Sequence, residues 1–218
     1  MLKDALSNRF TSKVIGNTAA PHNANQVSED QIDNLLDASA NAPFHYVCTA
    51  NHQKTFSSPV PWRAYKLNAA QCNNLMQEML RMDDKTKIPN MLAAAEYLIQ
   101  VTCLPDEGTL INQQANDKTG PIFQGTMRNM EHIAAASSFI QSILLAATDL
   151  GYRTYWSSGG PLREKPVFDL MSISKAELLL GSIFLFPASP INAEIKPGAN
   201  RDKRGSASDW SKWCKINN

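Results

Sequence analysis

Apolar residues recur at helical spacing in several segments of this 218-residue chain. Ser28 begins one of them, because its side chain can cap a helix and Gln31 completes a capping box. Ile32 and Leu35 then lie on one face, and Pro43 stops the helix. The sequence therefore predicts an amphipathic helix between Ser28 and Pro43.

Other helices are indicated by the same signals. The opening residues predict a helix that ends near Asn8, Asn68 caps another, and Pro89 suits the first turn of a short one. The strongest signal is at 131–150, where apolar residues cover most of the helix circumference before Gly151 ends it. A helix that is apolar on most sides belongs in the core or at a subunit interface.

Strands and loops separate these helices. Four segments predict strands: 62–67, 97–103, 152–157 and 178–186. The last is almost continuously apolar, which is typical of a strand buried on both faces. Residues 44–61 and 104–124 predict long loops, and Pro161 begins a helix that runs to about Met171. Helices and strands alternate without a regular βαβ period, so the predicted fold class is α+β.

Composition excludes several classes of protein. Hydrophobic residues make up 43%, which is too many for a disordered chain. Lys plus Arg total 21 against 20 Asp plus Glu, so nothing in the charge indicates nucleic acid as a partner. No apolar stretch is long enough to cross a bilayer, and the opening residues lack the apolar core of a signal peptide. We therefore expect a soluble, cytoplasmic protein with no membrane partner.

The usual catalytic motifs are missing from the sequence. It has no GxSxG, P-loop, GxGxxG after a strand, or HExxH. The four cysteines are scattered without a CxxC, and the histidines show no ligand spacing. A hydrolase or a metalloenzyme is therefore disfavoured, and we expect no metal site.

Three short segments carry more information. Arg9, Thr11 and Lys13 combine a guanidinium, a hydroxyl and an ammonium, a set that can hold a phosphate and a flat heterocycle. A solvated helix end is the alternative. Residues 41–45 place a turn at Pro43 that suits a pocket wall, and Trp62 begins a strand where a core role is equally open.

The third segment, 155–161, runs from a strand into a helix through consecutive small residues. Small residues let a backbone approach a ligand closely, and N–H groups at a helix start can bind oxygens. A plain glycine-rich turn is the alternative.

In order and spacing these segments resemble the FMN-dependent nitroreductase family, above all its short, minimal members, over about residues 3–210. Residues 9–13 (RFTSK) occupy the place of the family's R-R-S-x-R/K signature. Residues 41–45 (NAPFH) and 60–62 (VPW) take the places of its A-P turn and Q-P-W. Leu150-Gly151 and 156–159 (WSSG) match its L-G and W-x-S-G.

The resemblance implies a central, mostly antiparallel sheet flanked by helices. Residues 1–190 would form an FMN-binding domain, and residues 191–218 a C-terminal arm that packs on the partner subunit of a homodimer. The apolar stripe of the arm, with Trp210, Trp213 and Ile216 at helical intervals, agrees with such packing.

The resemblance also implies roles for single residues. Arg9 and Thr11 would bind the phosphate and ribityl oxygens, Phe10 would contribute its backbone, and Lys13 would face the N1–O2 edge of the flavin. Asn41 and His45 would lie beside the flavin, from the second subunit, and Pro43 and Phe44 between them are further cofactor-binding positions. Trp156, Ser157, Ser158 and Gly159 would line the other side, and Arg204, with Lys203 beside it, would reach the phosphate.

The implied activity is transfer of hydride from NADH or NADPH through flavin N5 to a nitroaromatic, quinone or similar acceptor, by a ping-pong scheme. The flavin carries the chemistry, so no protein residue is assigned as catalytic. Two alternatives stay open. A specialised flavoprotein, for reductive dehalogenation or flavin breakdown, would use the long 44–61 loop as a lid. A non-catalytic protein is suggested by Phe10, Phe44 and Val60, which depart from the family pattern.

Overall fold

The fold comes from a computed structural model that describes residues 2–111, 122–200, 202–214 and 216. Within these residues the α-helices are α1 (Leu2–Asn8), α2 (Glu29–Ser39), α3 (Ala50–Phe56), α4 (Ala69–Arg81), α5 (Ile88–Leu92), α6 (Met127–Asp149), α7 (Lys165–Leu170) and α8 (Ala207–Trp210). The strands are β1 (Ser12–Ile15), β2 (Trp62–Asn68), β3 (Tyr97–Cys103), β4 (Leu110–Ile111), β5 (Ile122–Phe123), β6 (Arg153–Ser157), β7 (Leu178–Phe186) and β8 (Glu194–Pro197).

A four-stranded sheet with the order β2-β3-β7-β6 lies at the centre, and each of its strand pairs is antiparallel. Successive side chains point to opposite faces, so β7 sends Phe184 into one apolar cluster and Ile183 into another. The first cluster contains α4 and α5, and the second contains α2 and α6. The predicted α+β class, with a sheet flanked by helices, is confirmed.

The two capping boxes form as predicted. Ser28 Oγ accepts from the Gln31 N–H at 3.3 Å, and the Gln31 side chain accepts from the Ser28 N–H at 3.0 Å. Asn68 and Gln71 make the same reciprocal pair at 3.0 and 2.9 Å. These signals are predictable because both partners lie within one turn of the chain.

The central helix α6 begins four residues earlier than the predicted 131. Thr126 is its N-cap, and the Thr126 hydroxyl accepts from the Asn129 N–H at 3.2 Å. Among the described helices, α6 has the length and mean hydropathy of a membrane span. Its buried side chains, Phe139 and Ile140 among them, pack in the core against the sheet, and core helices commonly meet the same test.

The prediction of an unbroken loop at 44–61 is wrong, because α3 lies inside it. The buried Arg63 side chain at the start of β2 fixes this segment: Nη2 donates to the His52 carbonyl at 2.9 Å, and Nη1 to the Val60 carbonyl at 3.0 Å. The helix therefore depends on a residue outside it, which the apolar periodicity of 44–61 does not reveal.

Two other predictions are corrected. The single helix from Pro161 to Met171 is divided into a 3₁₀ turn, Gly160–Arg163, and α7, because Glu164 adopts an extended ψ of 154°. Pro166 lacks an N–H and suits the first turn of a new helix better than the interior of a long one. The predicted loop at 104–124 contains the short β4–β5 pair, and its residues 112–121 lie outside the described residues.

Candidate functional site

A basic cavity of about 470 Å³ opens beside the β1–β8 ribbon and strand β6. We call it the basic cavity; its lining residues are Thr11, Lys13, Lys87, Tyr155, Lys196, Pro197, Gly198, Ala199, Asn200 and Arg204. It contains four cationic side chains and no carboxylate, and its volume is in the range of cofactor pockets.

Strand periodicity explains how β1 contributes to the cavity. Thr11 and Lys13 line it, whereas Val14 points the other way and is 0% exposed in the core. The Thr11 carbonyl accepts from the Gly198 N–H at 3.0 Å. A Cβ on Gly198 would lie 3.0 Å from Thr11 Cβ, so the absence of a side chain allows this close approach.

Lys13 and Lys196 are direct partners across the β1–β8 pair. Like charges in such positions repel, and only Lys196 is balanced, by Glu194 at 2.9 Å. The Lys13 ammonium lies 5.0 Å from the centroid of the Tyr155 ring, a cation–π contact. No carboxylate among the described residues pairs with Lys13, so its charge is available to a ligand.

A second pair of like charges lies at Arg9 and Arg204. Partial burial of Arg9, and then the positive charge of Arg204, lower the pKa of the Arg9 guanidinium. In the part of the chain that the structure describes, neither guanidinium has a carboxylate partner. Two guanidinium groups that repel each other, with no carboxylate partner among the described residues, can form a site for an anion, and their planar forks match a phosphate.

Among the comparisons with known proteins, matches come from solved structures, and those named below share one fold. No family model and no curated protein matches the sequence. Solved structures do match: the nitroreductase-like family protein from Bacillus cereus has a TM-score of 0.64 at 15% identity and covers 99% of this chain and 97% of its own. The chain has the nitroreductase fold.

Other structures with this fold match over similar lengths. The nitroreductase CinD from Lactococcus lactis, in complex with chloramphenicol, has a TM-score of 0.61 at 14% identity and covers 99% of this chain and 100% of its own. A nitroreductase with bound FMN from Desulfitobacterium hafniense has a TM-score of 0.54 at 16% identity, with 98% of each chain covered. The similarity therefore extends over nearly the whole of both chains.

On this fold four of the residues predicted around the cofactor come together. Thr11, Lys13 and Arg204 line the basic cavity, and Arg9 lies close enough to Arg204 to feel its charge. Phe10, between Arg9 and Thr11, instead lines a different cavity of about 230 Å³, and its backbone role at the cofactor stays a prediction. Lys203, considered beside Arg204, is not among the lining residues.

The 156–159 segment contributes less directly. Trp156 points away from the basic cavity and is 37% exposed, with its indole Nε1 donating to the Leu180 carbonyl at 3.2 Å. Ser157 Oγ accepts from the Gly159 N–H at 3.2 Å, and the Ser158 carbonyl accepts from Arg163. Gly159 has a φ of 104°, which requires glycine. This turn positions β6 so that Tyr155, which carries no predicted role, lines the cavity.

The remaining predicted positions lie elsewhere. Asn41, Pro43, Phe44 and His45 are exposed and line no part of the basic cavity. Phe44 meets the Trp62 ring edge-on at a centroid distance of 5.8 Å. Trp62 is buried and stacks on Phe139 at 5.0 Å, so its role is in the core. A contribution of the 41–45 segment to a second subunit's cavity stays a prediction.

Besides Tyr155, six lining residues escaped the sequence reasoning: Lys87, Lys196, Pro197, Gly198, Ala199 and Asn200. Lys87 is the N-cap of α5, and Lys196 and Gly198 lie in and after β8. None belongs to a recognisable motif. The one usable signal is Gly198, directly after Pro197, which is typical of a turn that approaches another backbone.

Proposed function

We propose that this protein is an FMN-dependent oxidoreductase that passes hydride from NADH or NADPH to a nitroaromatic, quinone or similar small acceptor. One observation carries the proposal: the uncompensated cations of the basic cavity, on a nitroreductase fold. The fold neighbour from Desulfitobacterium hafniense, which has bound FMN, supports the choice of cofactor.

The residues present fit FMN. Arg9 and Arg204 supply forked donors for the phosphate, and the Thr11 hydroxyl supplies a neutral hydrogen bond nearby. Tyr155 offers an aromatic ring, and Lys13 holds its ammonium over that ring. FMN, when bound, supplies the hydride-accepting and hydride-donating N5 position. The chain's own part is to bind and orient the cofactor and to set the charge around it.

We further propose a homodimer, in which the arm packs on the partner subunit. Beyond β8, which pairs with β1 of the same chain, Trp210, Trp213 and Ile216 are 69%, 101% and 90% exposed. Such large apolar side chains in a single segment indicate a protein surface that covers them. The root of the arm stays with its own chain, because Arg204 lines the cavity made by its own Thr11 and Lys13.

The proposal is tested by steady-state kinetics of the FMN-loaded protein with NADH and NADPH, using a quinone and a nitroaromatic as acceptors. We expect oxidation of at least one nicotinamide, with the parallel double-reciprocal lines of ping-pong kinetics. A flavoprotein reduced by neither nicotinamide would contradict the proposal. Sedimentation of the same sample should give twice the 24.1 kDa chain mass; a stable monomer would contradict the dimer.

A further inference from the structure

A cavity of about 330 Å³ lies between the end of α4 and the start of α7 and shares no lining residue with the basic cavity. We call it the α4–α7 cavity. Its apolar wall is formed by Met79, Met82, Pro161, Pro166 and Val167. Methionine side chains adapt to an incoming group and make favourable contacts between sulfur and an aromatic ring. The wall therefore suits an aromatic side chain.

The same cavity carries an excess of negative charge. Its carboxylates are Asp83, Asp84 and Glu164, and Asp83 pairs with Lys85. The other two have no cationic partner among the described residues. One carboxylate oxygen of Asp84 accepts from the Thr86 N–H at 2.7 Å, and the other is buried without a hydrogen-bond partner. A group that fits this cavity should therefore combine an apolar body with a positive charge.

The C-terminal arm carries that combination on one short segment. Trp210 and Trp213 are 69% and 101% exposed, and the exposed Lys212 precedes Trp213 in the chain. The nearest carboxylate in the sequence, Asp209, accepts from the Ser206 N–H at 2.7 Å and so caps α8. Lys212 has no carboxylate partner in the part of the chain that the structure describes. The arm and the α4–α7 cavity are thus complementary in apolar character and in charge.

The chain's own arm does not fill its α4–α7 cavity, since Trp213 is fully exposed. We propose that Trp213 of the partner subunit inserts into this cavity, with Lys212 of the partner subunit facing Asp84 and Glu164. By the two-fold symmetry of a homodimer, each subunit gives one arm and receives one. The inference rests on the proposed homodimer, and it adds the surface that receives the arm.

The test uses Cys214, which follows Trp213 and is exposed, whereas the other three cysteines are buried. Met82→Cys places a second exposed thiol at the α4–α7 cavity. The control, Asp37→Cys, places one on α2, which packs on the opposite face of the sheet from α4. Each full-length protein is oxidised mildly with diamide, which takes up the two thiol hydrogens as a disulfide forms. Non-reducing electrophoresis then follows the covalent dimer, and this readout requires no flavin.

We expect Met82→Cys to form the covalent dimer about tenfold faster than Asp37→Cys, because a docked arm raises the local concentration of its thiol. Adding Cys214→Ser should abolish this dimer, adding Trp213→Ala should slow it to the rate of the control, and adding Glu164→Lys should slow it severalfold.

Equal rates in Met82→Cys and Asp37→Cys overturn the inference. Loss of both thiols in Met82→Cys without a covalent dimer also overturns it, because the arm then lies on its own chain. In either case a dimer in sedimentation leaves the proposed homodimer standing, whereas a monomer overturns both.

Discussion

Substitution of Arg9 by Gln should have opposite effects on ligand binding and on stability. The Arg9 side chain is half-buried, has no carboxylate partner among the described residues, and its pKa is lowered first by burial and then by the charge of Arg204. In the ligand-free protein its charge therefore lowers the free energy of unfolding. In the proposed function the same charge supplies one half of the phosphate site when FMN binds.

The magnitude follows from the contact that is lost. A charge-assisted hydrogen bond contributes about 1.5–3 kcal/mol, so Arg9→Gln should raise the dissociation constant of FMN roughly 10- to 150-fold. The free energy of unfolding of the ligand-free protein should be unchanged or up to about 1 kcal/mol higher, because repulsion from Arg204 is removed. Arg9→Lys keeps the charge but loses the forked donors, so its dissociation constant for FMN should lie between those of the unsubstituted protein and Arg9→Gln.

The assay is quenching of FMN fluorescence for binding and urea denaturation for stability, with Arg81→Gln as the control. Arg81 is exposed on α4, pairs with Glu78 and does not line the basic cavity. If Arg9→Gln destabilised the ligand-free protein by more than about 1 kcal/mol, Arg9 would have a structural partner, and the reasoning from an uncompensated charge would be refuted. Unchanged affinity for FMN would refute the phosphate role.

Three further predictions concern the body of the fold. In a thiol titration of the native protein at pH 8, Cys214 should react at once and the three buried thiols only after denaturation. Burial, and then the nearby Glu177 charge, raise the pKa of Cys103 in the folded protein to about 12. Thiols of the unfolded chain ionise near pH 8.5, so the free energy of unfolding should fall as the pH rises above about 8.5. The fall should be less steep in Cys103→Ala. Gly181→Ala places a Cβ against Trp156 Nε1 and should cost about 1–3 kcal/mol with a shift in tryptophan emission, whereas Gly125→Ala, with open space around it, should leave the emission unchanged.

The sequence predicted those features whose causes are local. The Ser28 and Asn68 capping boxes and the buried strand β7 each depend on residues within a few positions of one another. The α3 helix was missed because Arg63, which lies outside it, holds the His52 carbonyl of the helix. The β1–β8 pair joins residues about 180 positions apart, and no local pattern indicates that pairing.

The candidate site likewise contains residues that the sequence predicted from local patterns and residues that only the fold brings there. Arg9, Thr11 and Lys13 belong to one short segment, and the sequence suggested their chemistry before any fold was known. Lys87 reaches the cavity only because the mutual Gly16–Asn90 bonds hold α5 on β1. Whether Tyr155 or Trp156 lines the cavity depends on which face of β6 meets the β1–β8 ribbon. Gly181 on the neighbouring strand β7 provides the space that the Trp156 side chain needs on the other face.

The most direct test of the account is whether the protein binds FMN in the basic cavity. The purified protein should be yellow, or become so with FMN, and should release one FMN per chain on denaturation. Removal of Arg204 by Arg204→Gln should weaken FMN binding strongly and riboflavin binding little, because the proposed function assigns this guanidinium to the phosphate. A colourless protein that takes up no FMN would contradict the central claim, and so would equal losses for FMN and riboflavin.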